Sequence, residues 1–287
     1  MGKCAEYGIP INFLTPNGQF LAVCTGKQKG NAYLRKSQYK VFEDNGLKLS
    51  QNTVASKIAN TVYVIKRTLN DYPGIDNDGE VTSCIEQLKK SIENVYSESE
   101  MDSLMGLEGN CAKAYFRIFH RLILKQKESF LLSGRTKRPP LDRVNAVLSF
   151  LYTIYTMDYA SALTSVGLDS YVGFYHALRS GRDSLACDLV EETRCIVERL
   201  VLTLINRRQI NEQDFDTQVS GAVLLNDSGK RKVLTAWQEK KQEKIIHPYL
   251  KEKIPYGLLP FAQASLLAKY LRNEIEEYPC FLWKQVR

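Results

Sequence analysis

The sequence predicts a mainly α-helical protein in which a small N-terminal β hairpin precedes one large helical domain. Two observations predict it. From about Leu49 onward, apolar residues recur at helical spacing, as in Val54, Ile58, Val62 and Ile65. Before that point, two short apolar runs flank a strong turn signal, which is the pattern of a hairpin.

The elements follow in chain order. Ile9-Pro10-Ile11-Asn12-Phe13-Leu14 is the first strand candidate, Thr15-Pro16-Asn17-Gly18 the turn, and Gln19-Phe20-Leu21-Ala22-Val23 the returning strand. Two strands alone are marginal in water, so this piece needs support from elsewhere. A helix begins near Leu49. After a loop rich in Asp, Pro and Gly from Asn70 to Glu80, helical patterns cover 81–95, 99–120, 141–165, 168–179, 183–209, 230–250 and 256–276. Leu132 to Pro140 is a basic loop. The expected division is residues 1–45, the β element with its linker, and 46–287, the helical domain.

The 287 residues, 44% hydrophobic and 25% charged, have the balance of a globular protein, so a disordered or fibrous chain is excluded. The richest apolar stretch, Val147 to Val166, is broken by Ser149, Thr153, Thr156, Asp158 and Ser161 and reads as a buried helix, not a membrane span. Met1 to Glu6 lacks the apolar core of a signal peptide. Seven cysteines, with no C-x-x-C pair, argue against a zinc site or disulfide framework and point to reduced thiols in the cytoplasm. The net charge of +7 favours a polyanionic partner.

Three places combine metal-ligating residue types with unusual neighbours. Glu108 lies in Met105-Gly106-Leu107-Glu108-Gly109-Asn110-Cys111-Ala112. Each flanking glycine costs a helix roughly 1 kcal/mol against alanine. The small neighbours either permit a tight helix crossing or leave Glu108 on a bare surface that a metal or phosphate can approach. His176 lies in Gly173-Phe174-Tyr175-His176-Ala177-Leu178, as a core histidine or a ligand. Asp188, Glu191, Glu192 and Glu198 project from the side of their helix opposite the apolar stripe of Ala186, Val190, Val197, Val201 and Leu204. Like charges three and four apart repel. Either a divalent cation resolves that conflict, or the carboxylates form a solvated face with Arg194 and Arg199 as counter-ions. Carboxylates with one imidazole and no thiol suit Mg²⁺ or Mn²⁺. Such an ion supports phosphodiester chemistry. There is no G-x-x-x-x-G-K-[ST], no G-x-G-x-x-G at a strand–helix junction and no H-E-x-x-H to suggest another chemistry.

Several motifs, in order, resemble a known family. They are Glu108-Gly109 with Ala112, Ala114, Tyr115 and Phe116; Arg138-Pro139-Pro140, Asp142-Arg143-Val144-Asn145 and Leu148-Ser149-Phe150; Gly167-Leu168-Asp169, Gly173-Phe174 and His176; and Gly181-Arg182, Ser184-Leu185-Ala186, Asp188-Leu189 and Glu191-Glu192 with Arg194. Together they resemble the Cas-one endonuclease and integrase family of CRISPR spacer acquisition, over essentially the whole chain. Gly257-Leu258-Leu259-Pro260, Gln263-Ala264, Tyr278-Pro279 and Phe281-Leu282-Trp283-Lys284 look like the C-terminus of its type I-C branch. Asp183 stands where the family commonly has proline, and aspartate is a good helix N-cap.

The resemblance implies Glu108, His176 and Glu191 as ligands of Mg²⁺ or Mn²⁺, with Asp188 supporting. It implies hydrolysis of DNA and strand transfer by a 3′-hydroxyl, with prespacer and CRISPR repeat DNA as partners together with the second Cas protein and a homodimer. It also implies that the hairpin is a β remnant, the first part of the family's N-terminal β domain being absent. The alternative is therefore a catalytically silent DNA-binding or scaffold protein of the same family. Candidate phosphate contacts are Arg135, Lys137 and Arg138; Arg179 and Arg182; Arg207 and Arg208; and Lys230, Arg231 and Lys232. Tyr115, Tyr152 and Tyr175 either stack on unpaired bases or belong to the core.

Overall fold

The computed structural model describes residues 1–7, 10–15, 20–24, 26, 31–132 and 134–283. A one-turn helix, α1 (Gly2–Glu6), precedes an antiparallel hairpin of β1 (Ile11–Leu14) and β2 (Phe20–Cys24). Of the expected turn, Thr15 to Gly18, all but Thr15 lies outside the described residues. Then comes α2 (Ala32–Asp71), an uninterrupted helix of 40 residues and about 60 Å. The Asn31 side chain caps it by accepting from the Leu34 amide at 3.0 Å, and Pro73 follows its end. The division expected at residues 45/46 falls within α2.

The centre of α2 is rich in Thr, Val, Ser and Asn, which are weak helix formers, so packing must hold it. From Thr53 to Val62 nearly every side chain is buried. Around α2 lie α3 (Glu80–Val95), α4 (Met101–Ile118), α6 (Ser184–Thr193), α7 (Cys195–Asn206) and α9 (Leu259–Leu271). A second buried helix, α5 (Arg143–Val166), packs on α6, α7 and α9 and is capped by Asp142, which accepts from the Asn145 amide at 2.8 Å. One continuous core joins Val54, Val62 and Ile65 of α2 to Val147 and Leu151 of α5, Leu189 of α6, Val197, Val201 and Leu204 of α7 and Leu267 of α9. Two further hairpins, β3 (Phe215–Thr217) with β4 (Val223–Leu225) and β5 (Lys244–Ile246) with β6 (Lys253–Pro255), flank α8 (Asp227–Gln242). Among the described residues no helix is long and apolar enough to cross a membrane.

The mainly α fold with a small N-terminal hairpin is observed; five element expectations are corrected. The pattern over 183–209 breaks at Arg194 into α6 and α7. Helix begins at Ala32, not near Leu49. The early turns carry exposed Lys36, Lys40, Glu43 and Asp44, which hide the apolar spacing. The pattern over 99–120 ends as helix at Ile118 and continues as a 3₁₀ turn, Phe119–Leu122. The pattern over 230–250 ends at Gln242. Pro248 cannot continue a helix, and Lys251 takes the left-handed conformation (φ 58°) in the turn between β5 and β6. Residues 168–179 form no helix. Gly167 (φ 90°) terminates α5 with a left-handed cap. The amides of Phe174, Tyr175 and His176 then donate to the Asp188 carboxylate, and so not to backbone carbonyls.

Two clamps fix this loop and the C-terminal strap. Gln38, fully buried on α2, donates to the carbonyls of Asp169 (2.8 Å) and Val172 (2.9 Å) and accepts from the Asp169 amide (2.9 Å). Asn60 holds the strap: it donates to the carbonyls of Glu192 (2.7 Å) and Phe281 (2.8 Å) and accepts from the Trp283 amide (2.8 Å). The Glu192 carboxylate accepts from the Tyr278 hydroxyl, the Phe281 amide and Gln263. Glu192, expected either to share a divalent cation or to lie on a solvated face, is fully buried because these donors replace water.

Burial pushes the Glu192 carboxyl up to about 7, against the pull of those donors. A carboxyl raised on folding stabilises below its unfolded value of 4.5, and that contribution is lost as the pH rises through 7. Glu192→Gln is expected to flatten the slope of stability over this window, by roughly 3 kcal/mol relative to the parent, in urea unfolding at pH 4.5 and 8. Gly173 gives the second test. A Cβ there would lie 2.4 Å from an Asp188 carboxylate oxygen and 2.9 Å from the Ser184 carbonyl carbon. Gly173→Ala is expected to destabilise by about 1–3 kcal/mol through overpacking and to raise amide exchange at Phe174 to His176, read by hydrogen exchange.

Candidate metal centre

Glu108 sits on α4 where Gly106 and Gly109 leave open space; a Cβ on either would meet nothing within 4 Å. Of the two sequence alternatives, the bare surface and not the tight helix crossing is found at these glycines, and the Glu108 side chain reaches α2. From α2 comes Lys57, whose ammonium pairs with Oε1 of Glu108. The same ammonium pairs with Oε2 of Glu191 on α6, at 2.5 Å. All three side chains are largely enclosed, at 12%, 20% and 12% exposure for Lys57, Glu108 and Glu191, so the charges meet with little screening.

Glu191 is also gripped by Arg194, one turn on, whose Nη1 lies 2.9 and 2.7 Å from its two oxygens. The Arg194 guanidinium stands 4.5 Å above the Tyr152 ring, and its Nε reaches Glu198 at 3.3 Å. The Tyr152 hydroxyl donates to Glu198 at 2.8 Å. Burial pushes the Glu191 carboxyl up, but Arg194, Lys57 and His176 outweigh it and hold the group well below the usual carboxylate range. Arg194 was expected as a counter-ion and is one; Arg199, the other, has Arg67, Tyr63, Asp71 and Tyr256 as its charged or titratable neighbours instead.

His176 reaches the site through Asp188. Asp188 is fully buried and accepts from the Phe174, Tyr175 and His176 amides (2.7, 3.1 and 2.9 Å) and from His176 Nδ1 at 2.7 Å. With Nδ1 donating to a carboxylate, Nε2 is the nitrogen free to bind a ligand. Asp183 occupies the N-cap position of α6, yet its side chain accepts from the Ser170 hydroxyl at 2.6 Å instead of capping.

Lys57, Glu108, His176, Glu191 and Arg194 line one cavity of about 770 Å³, with Tyr115, Lys137 and Tyr175 also in its wall. Among the described residues no three His, Cys, Asp or Glu side chains stand close enough to form a ready-made metal cluster. A lysine ammonium lies between the two carboxylates. That ammonium is itself a stand-in cation. It marks a point on which a Glu108 oxygen and a Glu191 oxygen converge, in a cavity shared with His176, and this oxygen-rich donor set fits Mg²⁺ or Mn²⁺.

The remaining sequence candidates scatter. Arg135 turns inward, donating to Asn145 (2.7 Å) and Ser149 (3.1 Å). Arg138 and Arg179 are exposed and Arg182 is half-buried. Lys230 and Arg231 line a separate shallow groove of about 590 Å³ on α8. Lys232 pairs with Asp214 at 2.7 Å. Tyr115 and Tyr175 are buried and Tyr152 lies beneath Arg194, so their rings are packed inside the fold. Lys57 was not foreseen. The available signal was its isolation as the only charged residue between Lys48 and Lys66, on a helix otherwise read as core.

Comparison with known proteins places the chain in a family. Residues 1–239 match the family model described as CRISPR associated protein Cas1. A curated relative from Chlorobaculum tepidum, named CRISPR-associated endonuclease Cas1 1, is 42% identical over 287 residues, covering 99% of this chain and 84% of the relative. A casposase bound to integration product superimposes with a TM-score of 0.83 at 23% identity, over 99% of this chain and 78% of that one, which speaks to the fold. A chain of a Cas6-RT-Cas1–Cas2 complex superimposes with a TM-score of 0.79 at 25% identity, over 100% of this chain and 31% of that one. With two-thirds of its length and more matched in this way, the chain belongs to the CRISPR-associated Cas1 family.

Proposed function

We propose that this chain is a divalent-metal-dependent DNA endonuclease and integrase that joins new spacer DNA to a CRISPR repeat. The observation that carries the reading is the convergence of Glu108 and Glu191, from two different helices, on one cation position beside an imidazole whose Nδ1 is held by Asp188. The names of the relatives support the activity, and the Cas1–Cas2 assembly supports a small Cas partner.

Glu108, His176 Nε2 and Glu191 would hold Mg²⁺ or Mn²⁺, with Asp188 as the residue that orients His176. The bound ion would activate the attacking oxygen, of water or of a 3′-hydroxyl, and offset charge on the phosphoryl group. The chain supplies the rest. Asp188 accepts from Nδ1 and so fixes Nε2 as the ring nitrogen left for a ligand. Arg194 keeps Glu191 ionised and fixes both its oxygens. Tyr115 and Tyr175 close the cavity wall against water, and Lys137 faces the cavity as a cation for the DNA backbone. Arg138, Arg179, Arg182, Lys230 and Arg231 remain the proposed outer contacts to phosphate.

The test is cleavage of a branched DNA with Mg²⁺, Mn²⁺ or EDTA. Glu108→Gln and His176→Ala are expected to lower the rate by roughly 10²–10³-fold or more while leaving DNA binding within a few-fold. Asp188→Asn is expected to cost about 10–100-fold through metal affinity. Cutting by Glu108→Gln at the parental rate would remove this site from the reaction. A parent that binds DNA and metal yet never cuts would favour the non-catalytic scaffold.

A further inference from the structure

We infer that Lys57 is a tethered counter-cation that holds the metal position in the metal-free protein and is expelled from it when the ion enters. The inference rests on the metal reading above and concerns a residue which that reading leaves without a role.

The geometry is specific. Two largely enclosed carboxylates cannot face one another without a cation between them, since their repulsion grows as water is excluded. The Lys57 ammonium pairs with Oε1 of Glu108 and Oε2 of Glu191. A divalent ion bound by the same oxygens would sit about 2.1 Å from each, which leaves no room for the ammonium and sets two positive charges against one another. The two cations are therefore alternatives for one position. Lysine suits the exchange, because a flexible four-carbon stem carries its charge. Arg194 does not move in this scheme. It is held by Glu191, Glu198 and the Tyr152 ring and keeps Glu191 in place whichever cation is present. The cavity that Lys57 lines gives its freed ammonium somewhere to go, facing the anionic substrate.

The consequence is a lowered metal affinity in the resting protein. If the lysine-held state outweighs the open state by about ten to one, the apparent dissociation constant is raised about tenfold. Lys57→Met keeps the length and removes the charge, so without DNA it is expected to bind Mn²⁺ roughly tenfold more tightly than the parent, by electron paramagnetic titration. Its thermal midpoint is expected to fall without metal and to rise more than the parent's on adding Mn²⁺. A merely structural lysine would lower the midpoint with no gain in affinity.

A second measurement needs no substitution at Lys57. Reductive methylation of the parent, read by mass spectrometry, is expected to label Lys57 faster when Mn²⁺ is present, and Glu108→Gln to lose that increase. If the parent binds Mn²⁺ while Lys57 labelling stays unchanged, or if Lys57→Met binds it no more tightly, the exchange is refuted and the metal site stands. If neither protein binds Mn²⁺ at millimolar concentration, the metal site itself is refuted, and the exchange with it.

Discussion

Four carboxylates are buried along the short run from α6 into α7, and the arrangement around them follows from the need to give each one partners. Asp188, Glu192 and Glu198 are at or near zero exposure, and Glu191 is largely enclosed. A carboxylate without partners in such a place would cost several kcal/mol. Each is met by a different part of the chain. Asp188 gathers the 174–176 amides and His176; Glu191 takes Arg194 and Lys57; Glu192 takes the C-terminal strap; Glu198 takes Tyr152 and Arg194. The repulsion expected between neighbouring acids is thus resolved by pointing Asp188, Glu191 and Glu192 at separate donors, while Arg194 is shared by Glu191 and Glu198.

The same division separates the cavity from the C-terminal strap on one helix. Glu191 and Glu192 are adjacent in sequence, so their side chains leave α6 about 100° apart. One faces the cavity with Lys57 and His176. The other faces Gln263 and Tyr278 and anchors the strap. Networks of this kind favour a single arrangement, because a slip leaves a buried charge with fewer partners.

Much of this was legible in the sequence, and the failures have physical causes. The periodicity around Val54 to Ile65 located α2 but not its start, since the first turns are mostly solvated. The glycines around Glu108 correctly announced open space. The 168–179 segment has helical spacing, but its backbone donors are captured by Asp188, fourteen residues away from Phe174, and a local pattern carries no trace of such a contact. The burial of Glu192 was hidden for the same reason, since its partners lie some seventy to ninety residues on. Lys57 was missed because one lysine in a core stripe has no motif; its meaning depends on two carboxylates that fold against it.

The length of α2 has a mechanical meaning. Its first turn is capped by Asn31; Gln38, two turns on, is bolted to the backbone of Asp169 and Val172; Lys57 sits five turns further, between Glu108 and Glu191. A helix without a break is a stiff rod, and this one has attachments at both the histidine loop and the paired carboxylates. A displacement along its axis would therefore reach the histidine loop and the paired carboxylates together.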